Sequence, residues 1–117
     1  MDFDRFTFGI YRRPPAAPVL SEEDAATIQD AHMAHLAKLT STGEVLAAGP
    51  LDDQEDAALR GIVIFSTSLE RARLLSVQDP AVRAGSLSLE VMSWLTPAGE
   101  VSFAAVPVPE SMDQATS

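Results

Sequence analysis

The succession of patterns along this chain restricts its fold more than any single residue does. "RFTFGIYRR", residues 5–13, alternates: Phe6, Phe8 and Ile10 point one way, Thr7, Gly9 and Tyr11 the other, as in a two-faced strand. "PPAAPVL" (14–20) ends it, because proline fixes φ and removes a ladder donor. "SEEDAATIQDAHMAHLAKLTSTG" (21–43) predicts a helix. Ser21 is its N-cap, three acids occupy the first turn where the dipole favours them, and Gly43 closes it. Ile28, His32, His35, Leu36 and Leu39 recur at helical spacing as one inward stripe. "EVLAAGPL" (44–51) and the wholly apolar "GIVIF" (61–65) predict two further strands on either side of an acidic loop, 52–60. "STS" (66–68) caps a second helix over 69–78, with Leu69, Ala72 and Leu75 or Ser76 inward. "DPAVRAG" (79–85) reads as a break and short turn. "SLSLEVMSWL" (86–95) reads as a fourth strand, with Leu87, Leu89 and Val91 on one face and Ser88, Glu90, Met92 and Trp94 on the other.

The order is therefore β-α-β-β-α-β. With right-handed crossovers it predicts an α+β, ferredoxin-like fold, a four-stranded antiparallel sheet with both helices on one face. The helix face is assigned Phe6, Phe8, Ile10, Leu87, Leu89 and Val91. The other face, with Tyr11, Met92 and Trp94, is too apolar to leave in water, which predicts a homodimer packed sheet against sheet. The chain has 117 residues, one domain by size, assigned to residues 1–98. Residues 99–117 form an extension in which Val101 and Phe103 extend an edge or pack across a partner. Pro107 and Pro109 stop regular structure there, and the last eight residues read as disordered.

Charge narrows the partners. Seventeen acidic residues against eight basic give a net charge of −9, which repels nucleic acid and anionic membrane surfaces alike. No apolar run approaches the roughly 20 residues of a membrane span, and "MDFDRFTF" lacks the basic head and apolar middle of a signal peptide. A cytoplasmic location is the expectation. There are no cysteines, so thiolate nucleophiles, disulfides and Cys-ligated metals are excluded. Phosphate-cradling glycine motifs and a GxSxG elbow are missing, so no cofactor is expected.

Both histidines lie in "DAHMAHLAKL", three positions apart on the apolar stripe. An imidazole there must find hydrogen-bond partners, because an unpaired buried polar group costs about 1–3 kcal/mol. His35 is either a general acid or base oriented by a carboxylate, or a core histidine satisfied by backbone. Asp79, before Pro80, is either that carboxylate or an ordinary turn cap. His32 lines the mouth of a pocket or packs; with no third ligand at metal spacing, no metal is expected. Gly49 permits close approach of a ligand to the backbone or, with Pro50, simply ends the second strand. Tyr11 and Trp94 wall a ligand or form dimer core, and Ser88 and Glu90 are polar lining or interfacial contacts.

The chain resembles the YciI-like (YCII-related) family over about residues 5–95. The matching residues are His35-Leu36 with Leu39; Gly43, Leu46 and Gly49-Pro50-Leu51; Glu70 and Ala72-Arg73; Asp79-Pro80; Ala84-Gly85; Glu90 and Trp94. The resemblance implies a ferredoxin-like fold dimerising into an α+β barrel, and a pocket with a His and an Asp proposed as a catalytic pair. The His of the pattern falls on His35 and the Asp on Asp79. Many members carry arginine three residues before that His; here His32 replaces a permanent charge with one that titrates near neutrality. The leading expectation is a small cofactor-independent enzyme. In it His35 moves a proton in a lyase, isomerase or dehydrohalogenase step on a small organic molecule, and Asp79 orients it. The alternative is a non-catalytic small-molecule-binding or accessory module of the same fold.

Overall fold

The alternating N-terminal segment is a central strand. In a computed structural model describing residues 1–117, β1 (Phe3–Arg12) is followed by α1 (Glu22–Ser41), β2 (Val45–Pro50) and β3 (Leu59–Phe65). Then come α2 (Leu69–Ser76), α3 (Pro80–Arg83), β4 (Ser88–Pro97) and α4 (Met112–Thr116). The sheet order is β2-β3-β1-β4, antiparallel throughout, which is the ferredoxin-like arrangement. Ser21 and Ser68 cap the two long helices: each hydroxyl accepts a backbone N–H, from Asp24 and Arg71 respectively, at 3.1 Å. Gly43 ends α1 with φ of 84°, a conformation that a side chain would strain.

Two segments are more ordered than their sequence implies. The turn expected at 79–85 contains α3, capped by Asp79, with Pro80 in the first turn where its missing N–H costs nothing. Residues near the C-terminus, expected to be irregular, form α4, whose Met112 N–H donates to Asp30 of α1 at 3.0 Å. Between them the tail is pinned to the start of the chain: Ala98 N–H donates to the Asp2 carbonyl, and Gly99 N–H to the Asp4 carboxylate, both at 2.9 Å.

The two faces of β1 are the reverse of the expectation. Residues directly opposite in an antiparallel pair share a face. Phe6 stands opposite Trp94, Phe8 opposite Met92 and Ile64, and Ile10 opposite Ile62 and Glu90. These form the open face. Thr7, Gly9 and Tyr11 point into the helices, with Val63, Phe65, Leu89 and Val91. The core on that side comprises Tyr11, Leu39, Val45, Val63, Phe65, Ala72 and Leu75. Space explains the choice. A Cβ on Gly9 would stand 2.8 Å from Leu89 Cδ1 and from Val63 Cγ1, so any larger residue would have to push those side chains aside. Thr7 satisfies its buried hydroxyl by donating to the Thr67 carbonyl at 2.8 Å.

The open face is left apolar. Phe6 and Phe8 both pack on Trp94, with ring centroids 5.8 and 6.4 Å away, and Phe103 from the tail stands edge-on to Phe6 at 5.4 Å. No helix is long and apolar enough to cross a membrane.

Candidate functional site

Three elements converge on one carboxylate. Asp79 lies at the corner between α2 and α3. Its Oδ1 accepts the Ala81 N–H at 2.9 Å, so its own short helix fixes the side chain. From α1, His32 Nδ1 approaches Oδ2 at 2.8 Å and Oδ1 at 3.0 Å. From β1, the Tyr11 hydroxyl donates to Oδ2 at 3.2 Å, and the Tyr11 ring stands edge-on to the imidazole with centroids 5.1 Å apart. Asp79 is 0% exposed, Tyr11 4% and His32 8%, so bulk water does not compete for these bonds. A carboxylate this deep is tolerated only when hydrogen-bonded, and Asp79 has three donors.

The arrangement fixes a tautomer. A carboxylate only accepts, so Nδ1 of the neutral ring carries the proton and Nε2 keeps its lone pair. Burial pushes the Tyr11 hydroxyl far above the ordinary phenol range; the charge of Asp79 and the hydrogen bond to it push the same way. Tyr11 therefore stays protonated and stays a donor.

This geometry corrects the pairing expected from the sequence. The partner of Asp79 is His32, not His35. His35 is half-buried on the next turn and makes no hydrogen bond to Asp79. Desolvation lowers its pKa below the usual imidazole value; the Asp79 charge opposes this, while His32 and Lys38 add to it. An imidazole paired as expected would be raised. The reason is rotational: on a helix the two histidines are about 300° apart in phase, and only the earlier one points at the α2–α3 corner.

Of the remaining residues of the expected site, all but one stay outside this cluster. Tyr11 joins it, but as a donor to Asp79, and the sheet separates it from Trp94. Gly49 and Pro50 lie in a recess with Ala47, Leu51, Ile62 and Ile64, on the far side of β3 from β1. Ser88 donates to the Arg12 carbonyl at 3.4 Å, and Glu90 borders a groove between α2 and β4 with Arg73, Ser76 and Val77. Neither concavity contains His32, His35 or Asp79. No three His, Asp or Glu side chains converge as a metal site. No signal in the sequence separates His32 from His35 as the partner of Asp79, since both share the stripe with Leu36 and Leu39.

The YCII-related domain family matches the chain over residues 5–95, a span that holds all three residues of the cluster. The chain belongs to this family. Among solved structures, this YCII-related chain is similar to 5-chloro-2-hydroxyhydroquinone dehydrochlorinase (TftG) from Burkholderia phenoliruptrix AC1100, solved in complex with 2,5-dihydroxybenzoquinone. The TM-score is 0.55 at 15% identity, over 81% of this chain and 96% of that one, which is a likeness of fold. Among curated proteins none matches.

Proposed function

We propose that this YCII-related protein is a cofactor-independent acid–base enzyme in which His32 is the proton-transfer group and Asp79 orients it. The observation that carries the reading is the 2.8 Å contact between His32 Nδ1 and a wholly buried Asp79 carboxylate. Such a carboxylate holds the ring in one tautomer and stabilises the imidazolium that forms when Nε2 takes a proton. The reaction class is an elimination or isomerisation on a small hydroxylated or carbonyl-bearing ring. In a dehydrohalogenation Nε2 removes a proton, its electron pair becomes a new π bond, and chloride leaves with the C–Cl pair. No external oxidant enters.

A homodimer is part of this proposal. Phe6, Phe8, Ile10, Met92 and Trp94 make one continuous apolar face, and a second copy laid sheet to sheet removes it from water. The near-complete burial of His32 leaves little of the ring to meet a substrate, which favours a second reading in which the cluster holds the fold and the protein is a ligand-binding module without turnover.

The test uses the full chain with 5-chloro-2-hydroxyhydroquinone, following chloride release. The expected result is release by the wild type, loss of about 100-fold or more in His32→Gln, and little change in His35→Gln. Full activity in His32→Gln would overturn the assignment. Saturable binding with no chloride released would select the binding module.

A further inference from the structure

Tyr11 occupies a place that no ligand-binding role explains. Its hydroxyl is spent inside the protein on Asp79 Oδ2, the same oxygen that His32 Nδ1 approaches most closely. Its ring closes one side of the imidazole edge-on. It projects from near the end of the inner strand β1, where Tyr11 lies opposite Gly61 on β3 and Leu89 on β4.

We propose that Tyr11 is a positioning residue that sets how strongly Asp79 holds the Nδ1 proton of His32. Two donors address one oxygen. The phenol O–H draws charge from the carboxylate and leaves less of it for the imidazole. The ring removes the space into which the imidazole would otherwise turn. The titratable groups around His32 are Asp79 at the head of α3, Tyr11 from β1 and His35 on its own helix, with Lys38 acting in turn on His35. Of these, only Tyr11 and Asp79 are tied to each other by a hydrogen bond. The consequence for turnover rests on the His32–Asp79 reading above; the consequence for the hydrogen bond does not.

That separation makes the inference testable without a substrate. The chain has two histidines and one tyrosine. In a His35→Gln background the Nδ1-bound proton of His32 is the only imidazole N–H left to observe by NMR. Tyr11→Phe keeps the ring and removes the competing donor, so this resonance is expected to move downfield as the bond to Asp79 strengthens. Replacing the single tyrosine by 3-fluorotyrosine makes a more acidic, stronger donor with almost no change of shape. The resonance is then expected to move upfield, and this arm remains readable if Tyr11→Phe does not fold. A resonance unmoved by either change, or shifts of the opposite sign, would overturn the proposal even where the melting temperature falls. If the resonance responds as expected while chloride release is absent, Tyr11 keeps this role and the enzymatic reading fails. If chloride release is present and the resonance is unmoved, the reverse holds.

Discussion

The two faces of the sheet follow opposite rules. The face toward the helices uses a glycine, a threonine and a hydrogen-bonded tyrosine on β1, and it holds the buried carboxylate and imidazole. The face away from them carries Phe6, Phe8, Ile10, Met92 and Trp94. Bulk is therefore no guide to which side of a strand is inside. On β1 the side under the helices is limited to small or hydrogen-bonded residues because Val63, Phe65 and Leu89 already fill that space, whereas the side with no helix over it carries phenylalanine and isoleucine. One face is specified by fit and polar bonding, the other by area.

That contrast can be broken at several points. The largest effect is expected at the polar centre. Asp79→Ala leaves His32 and the Tyr11 hydroxyl without their partner and uncaps α3, and should cost about 3–5 kcal/mol in urea unfolding at pH 7. A loss under about 1 kcal/mol would show that the bonds around Asp79 are not cooperative. On the other face, Trp94→Ala should weaken association of two copies by about 2 kcal/mol or more while leaving the fold intact, as read by sedimentation equilibrium. An unchanged association constant would remove the open face from the interface. Gly9→Ala tests fit directly: its methyl group meets Leu89 and Val63 at 2.8 Å, and the expected cost is about 1–3 kcal/mol. The same substitution at Gly49, where a Cβ meets nothing within 4 Å, should be nearly silent.

The smallest effect expected to be measurable concerns acid stability. The folded chain binds a proton at His35 less readily than the unfolded chain, whose imidazole titrates near 6.5. Below about pH 6.5 the unfolded state therefore takes up protons first, and stability falls as pH falls toward the lower folded value. His35→Gln should flatten this slope between neutrality and pH 5, measured as the difference between variant and wild-type midpoints across pH. A steeper slope in the variant would reverse the assigned sign.

Much of the fold was legible in the sequence because it is written in periods and caps. The strand at 5–13, the helix that begins after Ser21 and the helix after Ser68 lie where alternation, helical spacing and capping residues put them. Which face of β1 turns inward was not legible. Alternation defines two faces without ranking them, and the clearance around Gly9 belongs to Leu89 and Val63, distant in sequence. The acid of the candidate site was legible as Asp79 only through the family resemblance; read from the residues alone, Asp-Pro points as well to an ordinary turn cap, a role that Asp79 also fills at the head of α3. Its partner was not, because both histidines share one stripe and the choice depends on helix phase relative to a corner 47 residues away. Helix α4 was hidden by the prolines before it and is held by a hydrogen bond to Asp30.

Asp79 caps α3 with one oxygen, takes the phenol on the other, and holds the imidazole between the two. The short helix and the buried polar cluster thus share a single side chain. A lineage of this protein cannot alter that residue without first finding another way to start the helix. Variation in the cluster is channelled instead to the surrounding aromatic and helical neighbours, where change is cheaper.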